Sequence, residues 1–295
     1  MSYRSGKHLA LAGYDYANKS LQEIKDLFRE VLENGMHGIC YSAYDEGQKP
    51  GDVLTEAQIR RRMQILSPYT KWVRSFSCIE GNELVPSVAR DSGLKTLVGA
   101  WLGKDKELNE KEIQGLIDLA KYGCVDIAAV GNEVLYRNDL SKQELLEYMR
   151  RVKDAMPSGV QVGYVDAYYE FTVHPDVSAA CDVILANCYP YWEGCHIDYS
   201  LMYMKQMYNQ ARHAGNGKKV IITETGWPSQ GGSLKDAHAS EINFMKYFIN
   251  AQQWSMVDDI EMFYFSSFDE SWKVGAEGDV GAYWGIWDMH ENLKF

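Results

Sequence analysis

The sequence offers little with which to grip a metal, a phosphate or a membrane. Its 7 histidines show no HExxH or other ligand spacing, and none of its 6 cysteines forms a CxxC pair. No metal and no other cofactor is therefore expected. Cys40, Cys78, Cys124, Cys181, Cys188 and Cys195 lie mostly in strand-like runs and read as buried free thiols; a Cys188–Cys195 disulfide is the alternative in a secreted chain. A phosphate loop, a dinucleotide fingerprint and a GxSxG elbow are all missing. Positive charge is in short supply: 30 Lys and Arg against 41 Asp and Glu leave a net charge of −11. That balance argues against nucleic acid or an anionic membrane as the main partner and favours a neutral polymer or small substrate. No apolar run approaches the length of a membrane span. The opening MSYRSGKHLA has no apolar signal segment, as expected of a cytosolic chain or one already trimmed.

What the sequence has is aromatic surface. Its 295 residues include 20 Tyr and 8 Trp, and many sit among Gly, Asp and Glu, as in YVDAYYE, YPYWEG and GAYWGIWD. Core and rim account for the larger part of them. The interleaving with carboxylates nevertheless suits a carbohydrate groove, where sugar CH faces stack on rings and acids accept hydroxyl hydrogens.

Hydrophobic periodicity gives the architecture. Residues 20–35 form an apolar helix face with a Ser20–Glu23 capping box and Gly35 as terminator. A repeating order follows. Strands are expected at 38–44, 71–77, 95–102, 125–133, 160–168, 182–189, 219–224 and 260–268. Helices are expected from Thr55 (boxed with Gln58), at 83–92, 111–122, from Ser141 (boxed with Glu144), near 176–180, at 201–214 and near 241–256. Eight strands alternating with helices predict a single-domain (β/α)8 TIM barrel over residues 1–295. An aromatic tail follows the last strand, so the helix of the 1–36 amino-terminal extension is expected to fill the eighth helical position.

In such a barrel the chemistry sits at the carboxyl ends of the strands. Strand seven, in KVIITETGWPS, stops at Glu224, with Trp227 offering a flat face beside it; strand four, in VDIAAVGNEV, stops at Asn132–Glu133. Strand one ends at Tyr41 and Tyr44, strand six in Tyr189–Pro190–Tyr191–Trp192, and strand eight in Phe268–Asp269–Glu270–Ser271–Trp272–Lys273. A strand-end Glu alone reads equally well as a cap or an ion-pair partner. Two of them facing one another across an aromatic cleft are the equipment for glycosidic bond cleavage.

The motifs VGNEV (130–134), ANCYPYW (186–192), ETGWPSQGG (224–232) and FDESWK (268–273), with ICYSAY (39–44) and the closing YWGIWD, resemble glycoside hydrolase family 17, in order along the chain from about residue 38. The resemblance implies a β-1,3-glucanase or β-1,3-glucanosyltransferase of compact microbial type, working by retaining double displacement. It implies Glu133 as acid/base and Glu224 as nucleophile, with Asn132 on the sugar 2-hydroxyl. Tyr189 would hold the nucleophile or line its subsite, Glu270 and Lys273 would form a charged pair in the groove, and Tyr41 would line it; Trp192 and Trp227 would be sugar platforms. Phe76 departs from the family pattern, where many members carry Tyr, and loses any hydroxyl contact there. The partner implied is β-1,3-glucan or its oligosaccharides, as donor and acceptor, acted on by a monomer; family resemblance points to the cell wall or exterior. Aromatics and acids at 164–170 and 189–193, including Tyr169 and Glu170, could build acceptor subsites and tilt the reading toward transfer over hydrolysis. A silent glucan-binding barrel, and a barrel acting on another β-glucan or mannan, are the alternatives.

Overall fold

The computed structural model describes residues 13–295; residues 1–12 of the expected amino-terminal extension lie outside the described residues. The chain runs through α1 (Leu21–Glu33), β1 (Met36–Cys40), α2 (Glu56–Leu66), β2 (Thr70–Ser75), α3 (Leu84–Asp91), β3 (Lys95–Ala100), α4 (Lys106–Lys121), β4 (Ile127–Asn132) and α5 (Lys142–Ala155). It continues with β5 (Gln161–Ala167), the short α6 (Glu170–Val173) and α7 (Pro175–Ala180), β6 (Ile184–Asn187), α8 (Ser200–Gly215), β7 (Val220–Thr225), α9 (Glu241–Val257) and β8 (Met262–Tyr264). The eight strands close in the order β1–β8–β7–β6–β5–β4–β3–β2, all parallel. This is the (β/α)8 barrel that the periodicity predicts. A two-residue hairpin, Ser233–Leu234 with Ala237–His238, decorates the loop after β7.

Local chemistry sets the helix starts. The Ser20 hydroxyl accepts from the Glu23 N–H while the Glu23 carboxylate accepts from the Ser20 N–H, and Ser141 with Glu144 repeats the box on α5. Thr55 makes only half of the expected box. It accepts from the Gln58 N–H, but the Gln58 amide turns inward and donates to the Ala43 carbonyl at 3.0 Å. The expected cap thus becomes a tie between α2 and the loop after β1. Helix α4 begins earlier than the periodicity suggests because the Asp105 carboxylate accepts from the N–H groups of Glu107 and Leu108; an acidic cap recruits a polar first turn that carries no apolar signal.

Among the described residues no long helix follows β8, only short helical turns between Ser271 and Val280. The chain instead folds back in short turns, pairing Phe268 with Trp287 and Trp287 with Leu293. Helix α1 packs beside α9 through Phe28, whose ring lies 4.8 Å from Phe248 and 5.4 Å from Phe295. Arg29 Nε fastens the end by donating to the Phe295 carbonyl at 2.9 Å. The amino-terminal helix therefore occupies the flank left open by the missing eighth helix. The six cysteines are free, four of them buried and Cys124 and Cys195 half-buried.

Ladder register breaks at three places, between Ala129 and Asn132, between Ala186 and Asn187, and between Met262 and Tyr264. All lie toward the carboxyl ends of the strands, where an irregular backbone re-aims side chains. Gly131 meets the first break with a φ of +82°, a conformation that suits glycine. Gly226 is required for a different reason: a Cβ there would sit 2.1 Å from the Phe265 carbonyl oxygen. The turn after β7 can pass the end of β8 only without a side chain.

Candidate active site

A groove of about 610 Å³ crosses the carboxyl end of the barrel, with Glu133, Glu224 and Asn132 among its lining. Glu224 ends β7 almost fully buried. A carboxylate in that position needs donors, or its desolvation is not offset. It has three. Arg74 Nη1 donates to Oε1 at 2.6 Å, Asn187 Nδ2 to the same oxygen at 3.1 Å, and the Tyr189 hydroxyl to Oε2 at 2.8 Å. The hydroxyl of Tyr189 thus holds Glu224, and the negative charge beside it, on top of burial, keeps the phenol protonated.

Glu133 follows the break in β4 at a φ of +54°, a region that L-residues rarely adopt. Its N–H donates to the Val165 carbonyl at 2.8 Å, and its Oε1 accepts from Asn187 Nδ2 at 2.8 Å. One amide nitrogen therefore touches both acids. The orientation of that amide is fixed, because Asn187 Oδ1 accepts from the Thr223 hydroxyl at 2.9 Å. Two bonds of 2.8 and 3.1 Å from a single nitrogen keep the two accepting oxygens within about 6 Å of each other. Burial first, and the charge of Glu224 second, push the Glu133 carboxyl up to about 7, against the Asn187 donation that favours its ionised form.

Asn132 Oδ1 accepts from Arg74 Nη2 at 2.7 Å, which turns the other end of its amide toward the groove. Glu270 and Lys273 form a buried ion pair of 2.7 Å in the groove wall, with Lys273 Nζ 4.2 Å above the Phe265 ring. Tyr41 reaches the groove wall but is 3% exposed, and its hydroxyl donates to the Ile59 carbonyl; it has no free polar end for a sugar. Trp227 corrects its expected role as a platform. It is 0% exposed, locked by its Nε1 to the His238 carbonyl and packed against Tyr191 and Tyr247, so no ring face meets the groove. Trp192 is 40% exposed and lies over Trp284, which itself packs on Tyr189; a platform is available there, one ring beyond the residue that holds Glu224. Tyr169 packs edge-on against Tyr168, and Glu170 pairs with His174 at 3.3 Å. Neither lines the groove described above.

Several residues of the site escape a sequence reading. Arg74 stands in a β2 that also carries Lys71, Thr70 and Ser75, so nothing in the local sequence sets it apart. Asn187 sits inside the ANCYPYW motif without anything in its spacing to assign it a role. Trp101, 43% exposed with the Arg137 guanidinium 4.6 Å over its ring, and Trp272, edge-on to Tyr44, supply the aromatic walls of the groove. Phe76 also lines it and carries the Arg74 guanidinium at 4.3 Å. Among the described residues no group of three His, Cys, Asp or Glu side chains is arranged to hold a metal ion.

Comparison with known proteins adds three findings. The BtgE/BtgC glycoside hydrolase domain matches residues 38–285. A glucan 1,3-beta-glucosidase of Saccharomyces cerevisiae is 26% identical over 86% of this chain and 89% of its own length. The crystal structure of a glycoside hydrolase family 17 beta-1,3-glucanosyltransferase from Rhizomucor miehei is 32% identical, with a TM-score of 0.79 over 89% of this chain and 96% of that one. An active-site mutant of the Rhizomucor enzyme in complex with laminaritriose matches equally well, at 31% identity.

Proposed function

Since this chain belongs to the BtgE/BtgC glycoside hydrolase family, within glycoside hydrolase family 17, we propose that it cleaves β-1,3-glucan with retention and passes the glycosyl unit to a second glucan chain. The observation that carries the reading is the shared Asn187 amide nitrogen, 2.8 Å from Glu133 Oε1 and 3.1 Å from Glu224 Oε1, which keeps those two oxygens within about 6 Å of each other. That spacing leaves no room for a water between acid and sugar and suits attack by a carboxylate.

In the first step Glu224 Oε attacks the anomeric carbon while protonated Glu133 gives its proton to the departing glycosidic oxygen, and a glycosyl ester forms on Glu224. The ester neutralises Glu224. Glu133 then loses the neighbouring charge that held its proton and becomes a base. It takes the proton of an incoming hydroxyl, and the sugar leaves Glu224. Asn132, with its amide aimed by Arg74, serves the 2-hydroxyl, a contact that tightens as the oxocarbenium-like transition state forms.

Transfer over hydrolysis is supported by exposed aromatic surface in two places near the acids: Trp101 and Trp272 in the groove wall, and Trp192, which lies over the buried Trp284 beyond Tyr189. A sugar acceptor held by such surface outcompetes water. Hydrolysis is the second reading, and the name of the yeast relative, a glucosidase, favours it. A short β-1,3-linked glucose oligomer incubated with the protein, and with Glu224→Ala as control, separates the two by product size. Products longer than the substrate support transfer; only shorter ones leave a glucanase. No product from either protein overturns the enzymatic reading.

A further inference from the structure

The loop that carries Glu133 is not held by the sheet alone. The β4–β5 register breaks before Asn132, and past Glu133 the backbone leaves the barrel. Two side chains of β5 take over. The Tyr164 hydroxyl accepts from the Leu135 N–H at 3.0 Å and donates to Asp166 Oδ2. The same Asp166 oxygen accepts from the Tyr136 N–H at 3.4 Å, while its Oδ1 accepts from the Ala167 N–H at 2.7 Å. Both side chains are buried, and the reaction as described uses neither. On the other side Arg137 binds the Asn132 carbonyl and donates to the Leu102 carbonyl at 3.0 Å.

We propose that Tyr164 and Asp166 are positioning residues for Glu133: they pin Leu135 and Tyr136, two and three residues beyond it, and set one fixed negative charge behind it. The inference rests on the reading of Glu133 as acid/base. A fully buried carboxylate such as Asp166, near the carboxyl end of β5, is costly and calls for a purpose beyond packing. Here its two oxygens take three donors, two of which fix the loop. The charged and titratable groups around Glu133 are Glu224 from β7, Asp166 from β5, Tyr189 from the end of β6 and Arg137 from its own loop. Glu170, paired with His174, stands next to Asp166. Asp166 raises the proton affinity of Glu133 in the same direction as Glu224 does, and Asp166 is itself pushed only to about 6 by burial. It is therefore ionised in the pH range where Glu133, at about 7, gives up its proton.

The test compares Asp166→Asn and Tyr164→Phe with Glu133→Gln on two donors: a β-1,3-glucose oligomer, whose leaving oxygen needs a proton, and the same glycosyl unit on a nitrophenolate-type leaving group, which does not. All variants are compared by kcat/KM, which reports the bond-cleaving step and not the later step in which Glu133 serves as base on both donors; Tyr164→Phe is expected to lose at least about tenfold on the oligomer and less than about threefold on the activated donor. Asp166→Asn is expected to move the alkaline limb of the pH–rate profile down by roughly half a pH unit or more. Equal losses on both donors with an unmoved limb, in variants that melt as single transitions, would reduce the pair to a structural prop and overturn the proposal. If Asp166→Asn does not fold, Tyr164→Phe, which keeps the ring, decides through the donor comparison alone. If Glu133→Gln itself loses equally on both donors, the acid assignment falls and this inference falls with it.

Discussion

Arg74 Nη1 lies 2.6 Å from Glu224 Oε1, and both groups are buried beneath the groove. A pair of this kind adds modestly to stability but is expensive to break from one side. Arg74→Met is expected to cost about 3–5 kcal/mol in urea unfolding, because Glu224 keeps its charge and loses its strongest donor. The double variant Arg74→Met/Glu224→Gln should recover a large part of that loss. A double variant no more stable than Arg74→Met would show the guanidinium acting through Asn132 and Phe76 instead.

Asn187 donates to both acids and is not among the residues that line the groove. Asn187→Ala should lower kcat about a hundredfold while KM moves little, since its two donated bonds orient the reacting carboxyls. A rise in KM with kcat unchanged, measured on the oligomer, would instead make it a binding residue.

The pH dependence of the reaction follows from Glu133. Its carboxyl is raised to about 7 by burial and by Glu224, and it must be protonated to release the leaving group, so kcat/KM is expected to fall as pH rises through about 7. Stability has the same sign. A carboxyl whose folded pKa is raised contributes fully below its unfolded value, about 4.5, and loses that contribution as pH climbs to about 7. Glu133→Gln should therefore match the parent protein in unfolding free energy near pH 4 and exceed it by about 3 kcal/mol at pH 8. Equal melting temperatures at both pH values would remove the basis for a raised acid.

The two tryptophans Trp101 and Trp227 should separate cleanly. Trp101→Ala, at an exposed groove wall, is expected to raise KM several-fold with a stability change below about 0.5 kcal/mol. Trp227→Ala should cost about 3–5 kcal/mol through the cavity it leaves among Tyr191 and Tyr247, and the milder Trp227→Phe, which leaves a smaller void and gives up the bond to the His238 carbonyl, should keep KM. Calorimetry and initial rates on the same preparations check both.

The barrel was readable because its strands are short apolar runs and most of its longer helices announce their caps in sequence: Ser20, Thr55 and Ser141 each stand at the residue where a helix begins. The two acids were readable because each ends such a run. What lay hidden was their support. Arg74, Asn187, Tyr164 and Asp166 come from β2, β6 and β5, and only the closure of the sheet brings them to β4 and β7; a side chain's partner across a barrel leaves no trace in local spacing. Trp227 misled for a related reason. Its place next to Glu224 in the chain suggests a place next to it in space, yet the turn forced at Gly226 by the Phe265 carbonyl sends the indole under the hairpin and away from the sugar.

That turn also divides the labour for anyone wishing to refit the enzyme to another polymer. The most recognisable word in the sequence, ETGWPS, is scaffolding apart from its first letter, and variation there would be met with misfolding before it altered preference. Trp101, Tyr44 and Trp272, borne on loops after β3, β1 and β8, can be exchanged without disturbing the ladder beneath them. Libraries aimed at new substrates belong on those three loops, with the buried indole left as it is.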